Sequence, residues 1–378
     1  MKLDLNTMGE IAKLTRGQKL AEATRLIQKT LRGKELPPSH GDSEEQRTQE
    51  KPSRFRRPLA EVVNTLLRAK RDLEDLRAPS PKRRKEVIVP DGASFFSGSF
   101  ACPAGSREYR LYVPSNSARP QRPMLVMLHG CKQDPVDFAL GTRMNAVAEQ
   151  QKLVVLYPAQ PVAANPMGCW NWFNPEDQVR DSGEPAILAG MTRQIIRTQD
   201  IDEQRVFVAG LSAGGAMAVV MGATYPDLYA GLGVHSGLPY QAANDIVTAL
   251  AAMRGDANRN LNNRGRRRIP TILFHGDADL TVHPSNAEGL FRSQVQPGDS
   301  TQVELAADRT YTRKITRDLN GMLCMEHWLV HNGKHAWSGG SNDGSFTDTK
   351  GPNASHEMVR FFLEAVHDRI ARPENYDP

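Results

Sequence analysis

The segment Gly210-Leu211-Ser212-Ala213-Gly214 sets a serine between two glycines. Glycines two before and two after a serine allow a strained turn that presents its hydroxyl for acyl transfer. The pentapeptide alone is weak, since about one random chain in ten of this composition would hold it. Its setting is stronger: Val206-Phe207-Val208-Ala209 reads as a strand, and the residues from Ala213 onward read as a helix. A serine hydroxyl is a poor nucleophile at neutral pH, so it needs a histidine base and a carboxylate that orients the histidine. For a strand–turn–helix nucleophile the chain order is serine, acid, histidine. The apolar run Thr271-Ile272-Leu273-Phe274-His275 leads into Gly276-Asp277-Ala278-Asp279, and Asp279 is the expected acid with Asp277 its rival. The first acid after such a turn more often caps or shapes it. His335, in Asn332-Gly333-Lys334-His335-Ala336-Trp337, is the expected base on a loop.

Other histidines compete with it. His327 and His331 fall within or at the end of an expected strand, His275 precedes Asp279, and His283 lies nearby. None has a spacing that argues for a metal site, so neither a metal nor a cofactor is expected. The oxyanion of an acyl-transfer intermediate needs amide donors. The amide of Ala213 is one, and the loop His129-Gly130-Cys131-Lys132-Gln133 offers Cys131 as the other, with His129 shaping the loop.

Short β-type runs must position these groups. They are expected at 94–100, 107–113, 124–128, 153–157, 206–209, 230–235, 271–275 and 325–330, alternating with helical segments at 142–151, 186–197 and 216–225. The later runs are apolar throughout, the pattern of a mainly parallel sheet buried on both faces by helices, so the fold class is α/β.

The chain has 378 residues and a net charge of +5, with 39% hydrophobic and 24% charged residues. No apolar run approaches the roughly 18 residues that span a bilayer. The charge is uneven: residues 1–86 carry 21 Lys and Arg against 13 Asp and Glu, net +8, which leaves the remainder at net −3. Residues 1–86 are therefore expected to form a basic extension with helical patterns at 9–32 and 58–76 around a Pro-containing linker. Residues 87–378 are expected to form the catalytic domain. Charges scattered through the first 20 residues do not resemble a secretory signal, and the expected compartment is the cytoplasm. Four cysteines, Cys102, Cys131, Cys169 and Cys324, are too few for a disulfide scaffold.

Several linked motifs between residues 92 and 365 resemble the esterases of the polyhydroxybutyrate depolymerase family, relatives of feruloyl and acetylxylan esterases. They are Leu128-His129-Gly130-Cys131 with Gln133, Tyr157-Pro158 with Gln160, Cys169-Trp170-Asn171-Trp172-Phe173, Gly183-Glu184-Pro185, Asp202 to Arg205 before the Ser212 turn, His275-Gly276 with Asp279 and Val282, and Gly333 to Trp337. The resemblance implies an α/β-hydrolase fold, a Ser212–Asp279–His335 triad, an oxyanion contact at Cys131 and a Cys131–Cys169 disulfide. It also implies an extracellular alternative to the cytoplasm, although the absent signal and the basic extension depart from the secreted members. Trp170, Trp172 and Trp337 either pack the core or wall the substrate site, and they are taken as the substrate-binding candidates.

The leading expectation is ester hydrolysis of a poly(3-hydroxyalkanoate) chain or oligomer, with feruloyl or acetyl esters of plant polysaccharide as the alternative. A different class is a protein that contacts a granule, a membrane surface or nucleic acid through the basic extension, nucleic acid being the least expected of the three. A peptidase on the same fold is a third, which no further motif supports.

Overall fold

The computed structural model describes residues 86–115, 121–256, 268–308 and 310–371. The expected basic extension, with both its helical patterns and its linker, lies outside these residues apart from Glu86. Among the described residues no helix is long and apolar enough to cross a membrane.

Ten strands form one sheet. In chain order they are β1 Ser94–Cys102, β2 Gly105–Val113, β3 Arg122–Leu128, β4 Val154–Pro158, β5 Ile201–Leu211, β6 Gly231–His235, β7 Thr271–Gly276, β8 Ser300–Leu305, β9 Tyr311–Arg317 and β10 Leu323–Val330. Their spatial order is β1-β2-β4-β3-β5-β6-β7-β10-β9-β8. The six central strands, β4 to β10, run parallel. Antiparallel pairs close both sides, β1 with β2 on one and β9 with β8 on the other.

The central strands are mostly apolar where both faces are covered, as in Met124–Leu128 of β3 and Val206–Leu211 of β5. Met124, Val126 and Leu128 of β3 join one core, and Leu125 and Met127 join the other. Helices α3 (Gly183–Thr198), α4 (Ala213–Thr224) and α6 (Ser285–Gln294) cover the first face, while α1 (Pro135–Thr142), α2 (Met144–Gln151) and α7 (Ala354–Ala371) cover the second. A short helix, α5 (Ile246–Met253), follows β6 and contributes Ala249 and Ala252 to the first core.

Strands β8 and β9 were not anticipated. Their sequences, STQVEL and YTRKITR, are polar: β8 is the exposed edge, and β9 beside it is half-buried and sets its charges into ion pairs. Charges on β9 find partners in space: Arg313 pairs with Glu304 and Glu326, and Arg317 pairs with Glu364 and Asp368. Glu326 is fully buried in β10, where Arg313, Arg360 and the Trp328 indole N–H donate to it.

Candidate active site

All the expected catalytic residues follow the C-terminal ends of parallel strands. Cys131 follows β3, Ser212 follows β5, Asp279 follows β7 and His335 follows β10. That common edge is where a parallel α/β sheet gathers its loops, which is how residues 56 to 204 positions apart in the chain share one site.

Ser212 sits at φ 57°, ψ −120°, in the left-handed half of backbone space that a side chain seldom enters. Close packing holds it there. Its N–H donates to the His235 carbonyl at 2.9 Å. A methyl group on Gly214 would stand 2.0 Å from the Leu128 carbonyl oxygen, and one on Gly210 would stand 2.4 Å from Gly214. Only glycine lets the turn settle so close to β3. Ala213 opens α4, so its amide has no acceptor within the helix.

The loop after β3 lies against this turn, since a methyl on Gly130 would be 3.5 Å from Cβ of Ser212. The Gly130 amide donates to Gln133 Oε1 at 3.0 Å and the Lys132 amide to the Met167 carbonyl at 2.9 Å. Among the described residues the Cys131 amide between them has no acceptor. Cys131 is bonded to Cys169. His129 is buried and shapes the loop: its Nε2 accepts from the Gln160 amide at 3.1 Å, so Nδ1–H donates to the Gly130 carbonyl at 2.8 Å. Burial pushes its pKa below the ordinary histidine value.

Asp279 and His335 meet. His335 Nδ1–H donates to Asp279 Oδ2 at 2.7 Å, which leaves Nε2 as the basic nitrogen. The acid is buried, and its other oxygen accepts the amides of Thr281 and Val282, each at 2.9 Å. His275 Nε2 lies 3.5 Å from Oδ2 while bonding the Val282 carbonyl at 2.7 Å. Burial opposes ionisation of Asp279, but hydrogen bonds from His275 and His335 outweigh it and hold the carboxyl well below the usual range. Asp277 faces elsewhere: its carboxylate binds His331 Nδ1 at 2.9 Å and the Asn332 amide at 2.7 Å. The Asp279 and His335 loops touch through paired glycines, because a methyl on Gly276 would stand 2.1 Å from the Gly333 carbonyl oxygen.

His327 is buried on β10 with neither ring nitrogen bonded, and burial first, then Lys314, lowers its pKa to about 4. His283 is exposed and bonds Ser285 Oγ at 2.9 Å. Neither stands beside Asp279 as His335 does.

The tryptophans correct an expectation. Trp170 and Trp337 are completely buried and cannot wall a substrate site. The Trp170 indole N–H donates to the His129 carbonyl at 3.1 Å, and that of Trp337 to Ser355 Oγ at 3.0 Å. Trp172 is 6% exposed and belongs to the same core as Trp170, so it offers at most an edge. A buried tryptophan fills core volume once its single N–H has an acceptor.

Two groups beside the site were not anticipated. His235, at the end of β6, is buried between Phe274 and Trp337, and its Nε2 accepts the Ser338 amide at 3.0 Å. Burial, then the neighbouring His275 and His335, lowers its pKa to about 3, so it is neutral and tethers the loop that carries His335. Glu184 is buried and accepts from Gln160, from Asn171 (Nδ2 at 2.9 Å, amide at 2.8 Å) and from Arg107 at 3.3 Å. This anchors the Cys169–Phe173 loop. Burial, then Asp177, raises its pKa. Gln160, Asn171 and Glu184 all stand in the motifs quoted above, which was the available signal, but the chain gives no hint that they converge.

Residues 107–309 match the family described as Esterase PHB depolymerase. A poly(3-hydroxyalkanoate) depolymerase C from Paucimonas lemoignei is 30% identical over 61% of this chain and 59% of its own length. Acetylxylan esterase A from Talaromyces purpureogenus is 26% identical over 63% of this chain and 69% of its own. The chain thus spans about three-fifths of the first relative. An acetyl xylan esterase from Aspergillus awamori superposes with a TM-score of 0.51 at 21% identity, covering 64% of this chain and 94% of that one, and this likeness bears on the fold, which is the α/β-hydrolase fold. With the family match running through the Ser212 turn and the Asp279 loop, the chain belongs to the esterase PHB depolymerase family.

Proposed function

We propose that this protein is a serine esterase. The observation that carries the reading is the 2.7 Å bond from His335 to a buried, ionised Asp279 at the sheet edge that also holds Ser212 in its strained turn. Ser212 Oγ attacks the ester carbonyl carbon while its proton passes to His335 Nε2, and Asp279 stabilises the imidazolium. The carbonyl oxygen becomes an oxyanion that the amides of Cys131 and Ala213 receive. Collapse breaks the bond to the alcohol, which leaves with the proton from Nε2. Water then attacks the acyl-enzyme with His335 again as base, releasing the acid and restoring Ser212.

The substrate is a 3-hydroxyalkanoate polyester or its oligomers, a reading supported by the Paucimonas lemoignei relative. Acetyl or feruloyl esters of plant polysaccharide form the second reading, supported by relatives named acetylxylan and feruloyl esterase. Rates on 3-hydroxybutyrate oligomers, acetylated xylan, methyl ferulate and p-nitrophenyl esters, each beside Ser212→Ala, decide among them. Full activity in Ser212→Ala would sink the mechanism.

The Cys131–Cys169 bond favours an oxidising compartment over the cytoplasm, and thiol titration of protein from its native source tests this. Contact with a granule or membrane through residues 1–86 is tested by deleting them: soluble-ester activity should persist while association with granules is lost.

A further inference from the structure

We propose that Gln133 is a positioning residue that fixes the oxyanion loop to the loop carrying the base, so that both halves of the site stay aligned. The inference rests on the esterase reading above. Gln133 is only 7% exposed, and both ends of its amide are engaged. Oε1 accepts the Gly130 N–H at 3.0 Å, while Nε2 donates to Asp137 Oδ2 at 2.9 Å and to the Ser345 carbonyl at 3.1 Å. Asp137 completes the joint, accepting the Ser345 amide at 2.9 Å and the Ser345 hydroxyl at 2.6 Å.

Each partner lies close to the chemistry. Gly130 lies against Cβ of Ser212 and precedes Cys131, the proposed oxyanion donor. Ser345 belongs to the excursion that begins at His335, and His235 holds the near end of that excursion through the Ser338 amide. The excursion is thus pinned at two points, one beside the base and one on the oxyanion loop.

A primary amide suits this place because it carries a donor and an acceptor at one end. A carboxylate there would still accept from Gly130 but would set an oxygen against Asp137 and the Ser345 carbonyl. A leucine would leave the buried Gly130 N–H and Asp137 without that partner. Either change lets the Cys131 amide drift from where the oxyanion forms. Negative charge appears on that oxygen only in the tetrahedral state, so misplacement lowers kcat and leaves KM nearly unchanged.

The test compares Gln133→Glu, Gln133→Leu and the double variant Gln133→Glu with Asp137→Asn, in the full chain. The readouts are kcat and KM on p-nitrophenyl butyrate, and inhibition by phenylboronic acid, which adds to a nucleophilic serine as a tetrahedral anion. Both single variants should lower kcat about 10- to 100-fold with KM within about twofold, and weaken boronate inhibition by a similar factor. The double variant should regain most of the lost kcat, because the introduced carboxylate then meets an introduced amide. Folded single variants that keep wild-type kcat and boronate affinity would overturn the proposal, as would a kcat loss with unchanged boronate affinity. If Gln133→Leu fails to fold, Gln133→Glu against the double variant still decides. Hydrolysis surviving in Ser212→Ala would instead defeat the esterase reading, whatever the Gln133 variants do.

Discussion

His335 hydrogen-bonds through its Nδ1–H to Asp279 and not to Asp277, although the two acids are separated by one residue. The turn after β7 directs Asp279 inward and Asp277 outward to His331. Asp279→Asn should therefore lower kcat by about 10⁴-fold by favouring the wrong tautomer of His335, whereas Asp277→Asn should stay within a few-fold of wild type. Steady-state kinetics of both on one soluble ester check this. Equal losses would mean that the acid has been assigned to the wrong residue.

Stability should fall in mild acid. His235 and His327 have folded pKa values lowered to about 3 and about 4, below the ordinary 6.5. Between those values the unfolded chain binds protons that the folded one refuses, so stability is fully present above about pH 6.5 and is lost as pH falls towards 4. Each histidine contributes a slope of at most about 1.4 kcal/mol per pH unit. Asp279 acts in the same sense at lower pH, because its depressed pKa yields stability above the ordinary carboxylate range that is lost on further acidification. Urea unfolding from pH 7.5 to 4 measures the slope, and a flat profile would mean that the buried histidines are charged.

Removing either fully buried tryptophan should damage the fold before it damages recognition. Trp170→Ala should cost about 3–5 kcal/mol, through a cavity and an unpaired His129 carbonyl, with KM little changed in the folded fraction. Chemical unfolding read beside KM separates this from a substrate wall, for which KM would rise at unchanged stability.

Opening the Cys131–Cys169 bond releases a loop with a sequence separation of 38. The chain-entropy relation gives a loss of about 4 kcal/mol. Cys169→Ser should also slow catalysis, since the bond fixes Cys131, whose amide is the proposed oxyanion donor. Unfolding midpoints and kcat with and without a thiol reductant supply the check.

The central sheet was legible because strands buried on both faces are mostly apolar, and runs such as Met124–Leu128 and Ile272–Phe274 show that. Strands β8 and β9 were not legible, because their polar residues reflect an exposed edge and ion pairs with Glu326, Glu364 and Asp368 made only in three dimensions. Ser212, Asp279 and His335 could be singled out because their neighbours carry turn and loop chemistry. His235 could not, since it looks like the last residue of a core strand, and its role depends on the Ser338 amide 103 residues away. The tryptophans misled because aromatic residues serve cores and binding walls equally well. Only burial separates the two uses.

The gathering of Ser212, Asp279, His335 and the Cys131 loop at the ends of neighbouring strands separates two design problems. The sheet and its glycine contacts set the reacting geometry, while the stretches 159–182 and 237–256 leave the same edge from β4 and β6 and are not strands of that sheet. Their outer portions can change in length and composition without shifting the reacting atoms. A library randomised there, with the Cys169–Phe173 anchor and the residues around Glu184 left intact, is a route to changing which ester is accepted while the rate of bond cleavage is preserved.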